Sequence, residues 1–379
     1  MALINYLTQV QFGYGALETL AQECQRLGIR APLVVTDAGV RGAGLVDRVL
    51  RHLDGMAGVA VYDATPANPN EAALRDATAR YREGRHDGVI AVGGGSAIDL
   101  AKGVTLCGTH DGPLKQYAAI EGGAARITAR VAPLIAIPTT AGTGSEVGRG
   151  AILILDDGRK VGVLSPHLIP KAAICDPDLT LGLPAGMTAA TGMDAIAHCI
   201  ETFLSPAFNP PADGIALDGL RRGWACIERA VADPGDRAAR LNMMSASMQG
   251  ALAFQKGLGC VHSLSHALGG IDPRLHHGTL NAVFLPAVVA FNSVADSVQA
   301  DGKLERLAQA MNLAGAREVV PALEAMRARL GLPGGLGQLG VGENLFPRIV
   351  AGALADHSHK SNPREASAQD YEDLLRASM

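Results

Sequence analysis

Four short apolar runs, at residues 32–36 (PLVVT), 58–62 (GVAVY), 88–92 (GVIAV) and 133–137 (PLIAI), each end in a turn signal. Runs this short and this rich in Val and Ile read as strands buried on both faces. Amphipathic segments such as NEAALRDATARYREG lie between them, and a helical crossover joins neighbouring strands in parallel. The first half therefore predicts a parallel sheet covered by helices. Near Leu183-Pro184 the period changes. Helical patterns then follow one another, broken at Asn209-Pro210-Pro211, at Asp233-Pro234-Gly235 and at residues 331–335. At 379 residues the chain exceeds what one core serves. The expectation is an N-terminal α/β domain over residues 1–182 and a C-terminal all-helical domain over residues 183–379. No internal repeat or low-complexity stretch interrupts this order.

Charge and aromatic content exclude several partners. A net charge of −4 gives no electrostatic reason to bind nucleic acid or an acidic membrane. With aromatic residues at 4%, platforms for stacking bases are scarce. The N-terminal MALINYLTQVQFGYGALE has no positive charge before Arg26 and no continuous apolar core, so it does not read as a signal peptide. Residues 278–295 lack charge, but Asn281, Pro286 and Asn292 interrupt them, which favours a buried helix over a membrane span. Six cysteines (24, 107, 175, 199, 226 and 260) show no C-x-x-C, so neither a disulfide framework nor a thiolate cage is indicated. Buried, inert thiols and a cytoplasmic location are the expectation.

The chemistry concentrates in the second half. Asp194 and His198 stand four apart in GMDAIAHCIE, as do His262 and His266 in GLGCVHSLSHALGG, and the doublet His276-His277 follows. Residues four apart share one face of a helix, so Asp194 and His198 can grip one ion without backbone strain. A single such pair occurs often by chance, and a lone His on an apolar face is more often a hydrogen-bonded core residue. Concentration changes the weighing: of eleven histidines, five fall between 198 and 277 in apolar or Gly-rich surroundings, where an unpaired polar group is costly. Imidazole with carboxylate suits Fe, Zn, Mn, Co or Ni better than Mg or Ca.

The first half carries a second constellation. In GVIAVGGGSAIDLAKG a strand runs through Gly93-Gly94-Gly95-Ser96 into a helix holding Asp99 and Lys102, leaving backbone N–H groups at the helix start to hold phosphate. This is neither G-x-G-x-x-G nor a P-loop, and a glycine cluster alone is a tight turn about as often. The exit of the next strand, PLIAIPTTAGTGSEVGRGA, adds Thr139, Thr140, Thr143 and Ser145. Two such loops at the carboxyl ends of parallel strands are where open α/β sheets bind ligands. Asp37, just past PLVVT, is placed to accept from an adenosine ribose, which disfavours a 2′-phosphate and favours NAD over NADP; an ordinary turn Asp is the plain alternative.

Taken together, GGGSAIDLAKG, PTTAGTGSEV, GMDAIAHCIET and HSLSHALGG followed by HHGTLNAVFLP resemble, in order and spacing, the iron-containing (group III) alcohol dehydrogenase family over nearly the whole chain. The resemblance implies a dehydroquinate synthase-like architecture, in which residues 1–182 are the dinucleotide-binding domain and residues 183–379 the metal-binding and substrate domain, and a divalent metal, Fe(II) or Zn(II), held by Asp194, His198, His262 and a His before Gly, which is His277 here with His276 as the neighbouring alternative. It implies that His266 lies near the nicotinamide without ligating the metal; an ordinary imidazole pKa near the working pH makes His266 a candidate proton relay, and a residue that only shapes the pocket is the plain alternative. Gly94, Gly95, Ser96, Asp99, Thr139, Thr140 and Thr143 match its cofactor pattern, together with Asp37, Lys160 and Asn68 in ANPN. The activity implied is an NAD(P)-dependent alcohol dehydrogenase or aldehyde reductase on small alcohols, with NAD preferred, and a homodimer is expected.

Rival readings are separated by the same residues. Maleylacetate reductases work without metal and depart from the ligand set, whereas every candidate ligand is present here. Glycerol dehydrogenases and dehydroquinate synthases share the architecture, but PTTAGTGSEV and HSLSHALGG argue against both. A non-catalytic NAD- or metal-binding module would be favoured by a lost ligand or loop, and none is lost. Small alcohols, diols, 4-hydroxy acids and larger aldehydes all remain compatible. The helical half offers apolar residues, Phe254, Leu258 and Leu264, and cationic ones, Arg274 and Lys360, as candidates to choose among them, and their orientation is not set by the sequence. The segment DHSHKSNPREAS carries the family-like Asn362-Pro363-Arg364, with His357 and His359 as local additions read as exposed loop residues, a metal role being the alternative.

Overall fold

The computed structural model describes residues 8–379. These divide into two compact units, and the division falls at Gly182 and Leu183.

In the first unit six strands form a parallel sheet: β1 (Gln9–Phe12), β2 (Pro32–Val35), β3 (Ala60–Tyr62), β4 (Gly88–Gly93), β5 (Leu134–Pro138) and, after a hairpin, β8 (Ala172–Cys175). The order across the sheet is β1-β8-β5-β4-β2-β3. The antiparallel hairpin of β6 (Gly150–Ile154) and β7 (Lys160–Leu164) stands apart from it. Alternate side chains enter two cores. Leu33, Val35, Val89, Ala91, Leu134 and Ala136 face one core with α4 (Glu71–Glu83) and α5 (Gly95–Cys107). Val34, Ile90, Val92, Ile135 and Ile137 face the other, with α1 (Leu20–Leu27) and α3 (Leu45–Arg51), while α2 (Ala38–Gly42) starts just past β2. Each such buried aliphatic side chain contributes about 1.5–3 kcal/mol, which explains the near-continuous apolar runs. From β2 the chain steps outward to β3 and then returns to β4 on the other side of β2, so the order reverses between β2 and β4. The carboxyl ends of those two strands are the binding crevice of an open sheet.

The second unit is helical: α6 (Ala185–Leu204), α7 (Pro210–Ala232), α8 (Arg237–Ala253), α9 (Cys260–Ile271), α10 (His277–Asn292), α11 (Asp296–Ala300), α12 (Lys303–Ala310), α13 (Val319–Arg329), α14 (Phe346–Ala355) and α15 (Ala368–Ala377). Helix α6 is buried from Thr188 to its end and is packed by α7, α8 and α10, while α9 packs on α10 and α14. Asn209 caps α7 by accepting from Ala212 N, and Pro210 occupies the first helical position, where its missing N–H costs nothing. The uncharged stretch near residue 280 is helix α10, buried along most of its length with Pro286 inside it. No helix of the described residues is long and apolar enough to cross a membrane.

Candidate functional site

The four expected metal ligands come together in the helical unit. Around Asp194 Oδ1, the Nε2 atoms of His198, His262 and His277 lie at 3.6, 3.8 and 3.8 Å. Asp194 and His198 project from one face of α6, His262 from α9 and His277 from the first position of α10. His276 is the residue before that helix. Gly278 makes the approach possible, since a Cβ there would sit 2.2 Å from Ala190 O and 3.2 Å from Asp194 Cβ. A side chain at this position would push α10, and His277 with it, off α6.

The surroundings prepare these groups as ligands. Burial holds the imidazoles neutral: His198 is lowered from 6.5 to about 4 and His262 to about 3, against the partial opposition of Asp194. Glu201 fixes the tautomer of His262. Its Oε2 lies 2.5 Å from His262 Nδ1 and its Oε1 accepts from Val261 N at 2.8 Å, so the lone pair of the ring sits on Nε2, toward Asp194. Burial pushes Glu201 itself up to about 7, opposed by the donors it accepts from and by His198. At the next N–H of the same uncapped helix start, Cys260 N donates to Asn362 Oδ1 at 3.1 Å. Asn281, one turn on from His277, puts its Nδ2 2.7 Å from Asp194 Oδ1 and 3.2 Å from the Nε2 of both His262 and His277. One amide cannot serve all those acceptors, and its own buried Oδ1 has no partner among the described residues. Acceptors converging on one point with so few donors are the environment of a cation, and a carboxylate with three imidazoles fits a divalent transition metal. Sequence reasoning missed both Glu201 and Asn281; the i+7 spacing of Glu201 from Asp194 on one helix face is a signal that could have found it, whereas Asn281 had none beyond its spacing of four from His277.

His266 stands beside this group. Its Nδ1 lies 3.0 Å from Asp356 Oδ2, and its ring is stacked on that of His277 at 5.3 Å. Asp356 is held well below the usual carboxylate range; burial raises it, but His266 and His357 outweigh burial. The expectation that His357 and His359 are exposed loop residues is corrected. His357 is half-buried and stacked on His266 at 5.6 Å, and His359 Nδ1 lies 2.9 Å from the hydroxyl of buried Tyr371. His357 is drawn inward by His266, some ninety positions earlier and invisible in the sequence, and His359 by Tyr371, twelve positions later.

In the α/β unit the glycine loop and the threonine loop meet. Gly93 ends β4 at φ +153°, and a Cβ there would lie 2.7 Å from Ala97 Cβ and 3.4 Å from Asp37 Oδ2, so only glycine lets α5 start this close to the sheet. Thr139 N donates to Gly93 O at 3.0 Å, and the position of a Gly94 Cβ lies 3.2 Å from Thr140 Oγ1. Helix α5 has no side-chain cap at its start, where Gly95 and Ser96 lie. Asp37 Oδ1 caps α2 by accepting from Val40 N at 2.9 Å, while its Oδ2 faces the glycine loop; the turn role and the ribose role are compatible. Lys160 Nζ donates to Asn68 Oδ1 at 2.8 Å, and Ser96 Oγ donates to Ala67 O, which gathers these three expected residues at one place.

Two of the expected cofactor residues are placed differently from the rest. The Asp99 carboxylate accepts from Ser145 Oγ at 2.6 Å and Ile152 N at 3.0 Å, so it ties α5 to the threonine loop and the hairpin. Thr143 lies in the segment Ala141–Thr143, which groups with the helical unit and not with Thr139 and Thr140. Lys102, a residue the motif reading left without a role, is fully buried and donates to Ser145 Oγ, Gly148 O and Gly150 O at 2.7, 2.9 and 2.7 Å. Of the side chains proposed to select substrate, Phe254 packs edge-on against His198 at 4.7 Å, Leu264 is buried in α9, and Arg274 is exposed and paired with Asp272.

Comparison with known proteins gives a consistent result along the whole chain. The family described as "Iron-containing alcohol dehydrogenase" matches residues 8–177, and that described as "Fe-containing alcohol dehydrogenase family, C-terminal" matches residues 188–379. A protein of Cupriavidus necator named 4-hydroxybutyrate dehydrogenase is 63% identical over 383 residues, covering 100% of both chains. Among solved structures, a 1,3-propanediol oxidoreductase superposes with a TM-score of 0.93 at 35% identity, covering 100% of both chains. Sulfoacetaldehyde reductase from Bifidobacterium kashiwanohense, in complex with NAD+, superposes with a TM-score of 0.89 at 26% identity, covering 100% of this chain and 99% of that one.

Proposed function

The chain belongs to the iron-containing alcohol dehydrogenase family and is an oxidoreductase acting on alcohols, and from that premise we propose that it interconverts 4-hydroxybutyrate and the corresponding aldehyde acid with NAD. The observation that carries the metal-dependent reading is the convergence of Asp194 Oδ1 with three imidazole Nε2 atoms. In it Asp194, His198, His262 and His277 hold Fe(II) or Zn(II), which when bound polarises a carbonyl or acidifies an alcohol while nicotinamide exchanges the hydride.

The protein's own part is to present these donors neutral and oriented, through burial and Glu201, and to move the proton. His266, outside the ligand set and held on its Nδ1 edge by Asp356, is the group that gives or takes the proton of the hydroxyl. In the α/β unit Gly94, Gly95, Ser96, Thr139 and Thr140 line the start of α5 for the pyrophosphate. Asn68 and Lys160 contact the cofactor beside them. Asp99 is a positioning residue for that loop, and Thr143 contributes from its own segment. The Asp37 carboxylate disfavours a 2′-phosphate, which supports NAD over NADP.

The substrate is supported by full-length 63% identity to a protein named 4-hydroxybutyrate dehydrogenase. A homodimer in the cytoplasm completes the reading; unpaired cysteines, most of them buried, fit a reducing compartment. Initial rates with NADH and a panel of aldehydes test it. The four-carbon aldehyde acid is expected to exceed 3-hydroxypropanal and butanal in kcat/KM by at least about tenfold, the weight of one well-made polar contact. Equal or reversed preference overturns the substrate.

A further inference from the structure

On the reading that His266 moves the proton, we propose that Asp356 and His357 are its positioning residues, with His266 the middle ring of a stack of three imidazoles. The His266 ring lies 5.3 Å from that of His277 and 10° from parallel on one side, and 5.6 Å from that of His357 and 22° from parallel on the other. Asp356 Oδ2 lies 3.0 Å from His266 Nδ1 and 3.6 Å from His357 Nδ1. One carboxylate oxygen therefore faces the Nδ1 edges of both rings, and its side chain is only 8% exposed.

The chemistry of this arrangement is directional. An ionised carboxylate only accepts, so it keeps the hydrogen of His266 on Nδ1 and leaves Nε2 on the opposite edge of the ring as the proton-exchanging atom. The torsion about Cβ–Cγ of a histidine is otherwise broad and two-fold. Flat rings above and below His266 restrict that torsion, and the Asp356 contact selects one of its two settings. Asp356 directly follows α14, and α14 packs along α9, which bears His266, so the anchor is carried on a fixed element rather than a free loop.

The test uses metal-loaded full-length enzyme. Asp356→Asn, His357→Leu and His266→Ala are made singly, and Asp356→Asn is also combined with His266→Ala. Asp356→Asn is expected to lower kcat about 10- to 100-fold with KM and metal content little changed. His357→Leu shows a smaller loss of the same kind. In the His266→Ala background Asp356→Asn costs nothing further, because positioning acts only through the ring it positions. Ring-nitrogen NMR of the zinc-loaded protein is expected to show His266 protonated on Nδ1 in the wild type and mixed tautomers in Asp356→Asn. Unchanged kcat in Asp356→Asn and His357→Leu while His266→Ala is impaired overturns the proposal, as does an additive double variant. A second equivalent of zinc, bound by the wild type and lost in Asp356→Asn, overturns it by making the trio a metal site. An unimpaired His266→Ala instead overturns the role of His266 on which the proposal rests.

Discussion

Glu201 Oε2 lies 2.5 Å from His262 Nδ1, inside a core where both side chains are almost fully buried. The contact links a helix start to a ligand, because the same carboxylate also accepts from Val261 N. Glu201→Gln keeps the shape but lets an amide donate to Nδ1, which would move the lone pair of the ring away from Asp194. Metal affinity is expected to fall about 10- to 100-fold, the usual effect of losing such a supporting group. Metal content after dialysis against a graded chelator checks this; wild-type retention contradicts it.

The histidine doublet gives a sharper pair of variants. His277→Ala removes a ring whose Nε2 lies 3.8 Å from Asp194 Oδ1, whereas His276 precedes the helix. Metal content and kcat are expected to collapse in His277→Ala, by more than about 100-fold in kcat, and to survive in His276→Ala. The reverse pattern would move the fourth ligand by one residue.

Asp37 is the proposed determinant of cofactor choice. Its Oδ2 faces the glycine loop while Oδ1 caps α2. Asp37→Ser keeps an N-cap oxygen and removes the charge. The ratio of kcat/KM for NAD over NADP is expected to drop about tenfold or more, with little change in thermal stability. An unchanged ratio means the carboxylate does not face the ribose.

Burial of the ligand cluster has a cost in acid that metal would mask. In the metal-free protein His198 and His262 lie at about 4 and about 3, below their ordinary 6.5, and Glu201 lies at about 7, above its ordinary 4.5. As pH falls below 6.5 the unfolded chain takes up protons on both histidines, which the folded chain does not. The folded chain already carries one on Glu201, which the unfolded chain takes up only near 4.5. The two histidines outweigh the one carboxyl, so the unfolded state is ahead in protons between pH 6.5 and 4.5, and stability falls as pH falls there. Urea unfolding of the metal-free helical unit within the full chain, across that range, measures the slope; a flat or rising midpoint contradicts it.

The sheet was legible where its physics is most demanding. β2, β4 and β5, buried on both faces, have to be runs of aliphatic side chains, and these stand out in the sequence. β1 and β8 escaped notice because QVQF alternates and AAIC carries a single branched residue. Asp194 and His198 were legible because one helix sets their spacing; Glu201 was missed, though the same geometry could have found it. His357 and Asp356 were not, since their partner His266 lies ninety residues away and no local period reports a long-range contact. Asp99 shows the converse limit: its motif is plain, yet only the structure shows its carboxylate engaged by Ser145 and Ile152.

The proposed metal dependence rests on Asp194, His198, His262 and His277. Protein purified without oxygen, stripped by chelator and reloaded with Fe(II) or Zn(II), should bind about one ion per chain and regain NADH oxidation with the four-carbon aldehyde acid in proportion to the ion bound, while His198→Ala regains neither. Full activity in the stripped protein, or in His198→Ala without metal, would contradict the account.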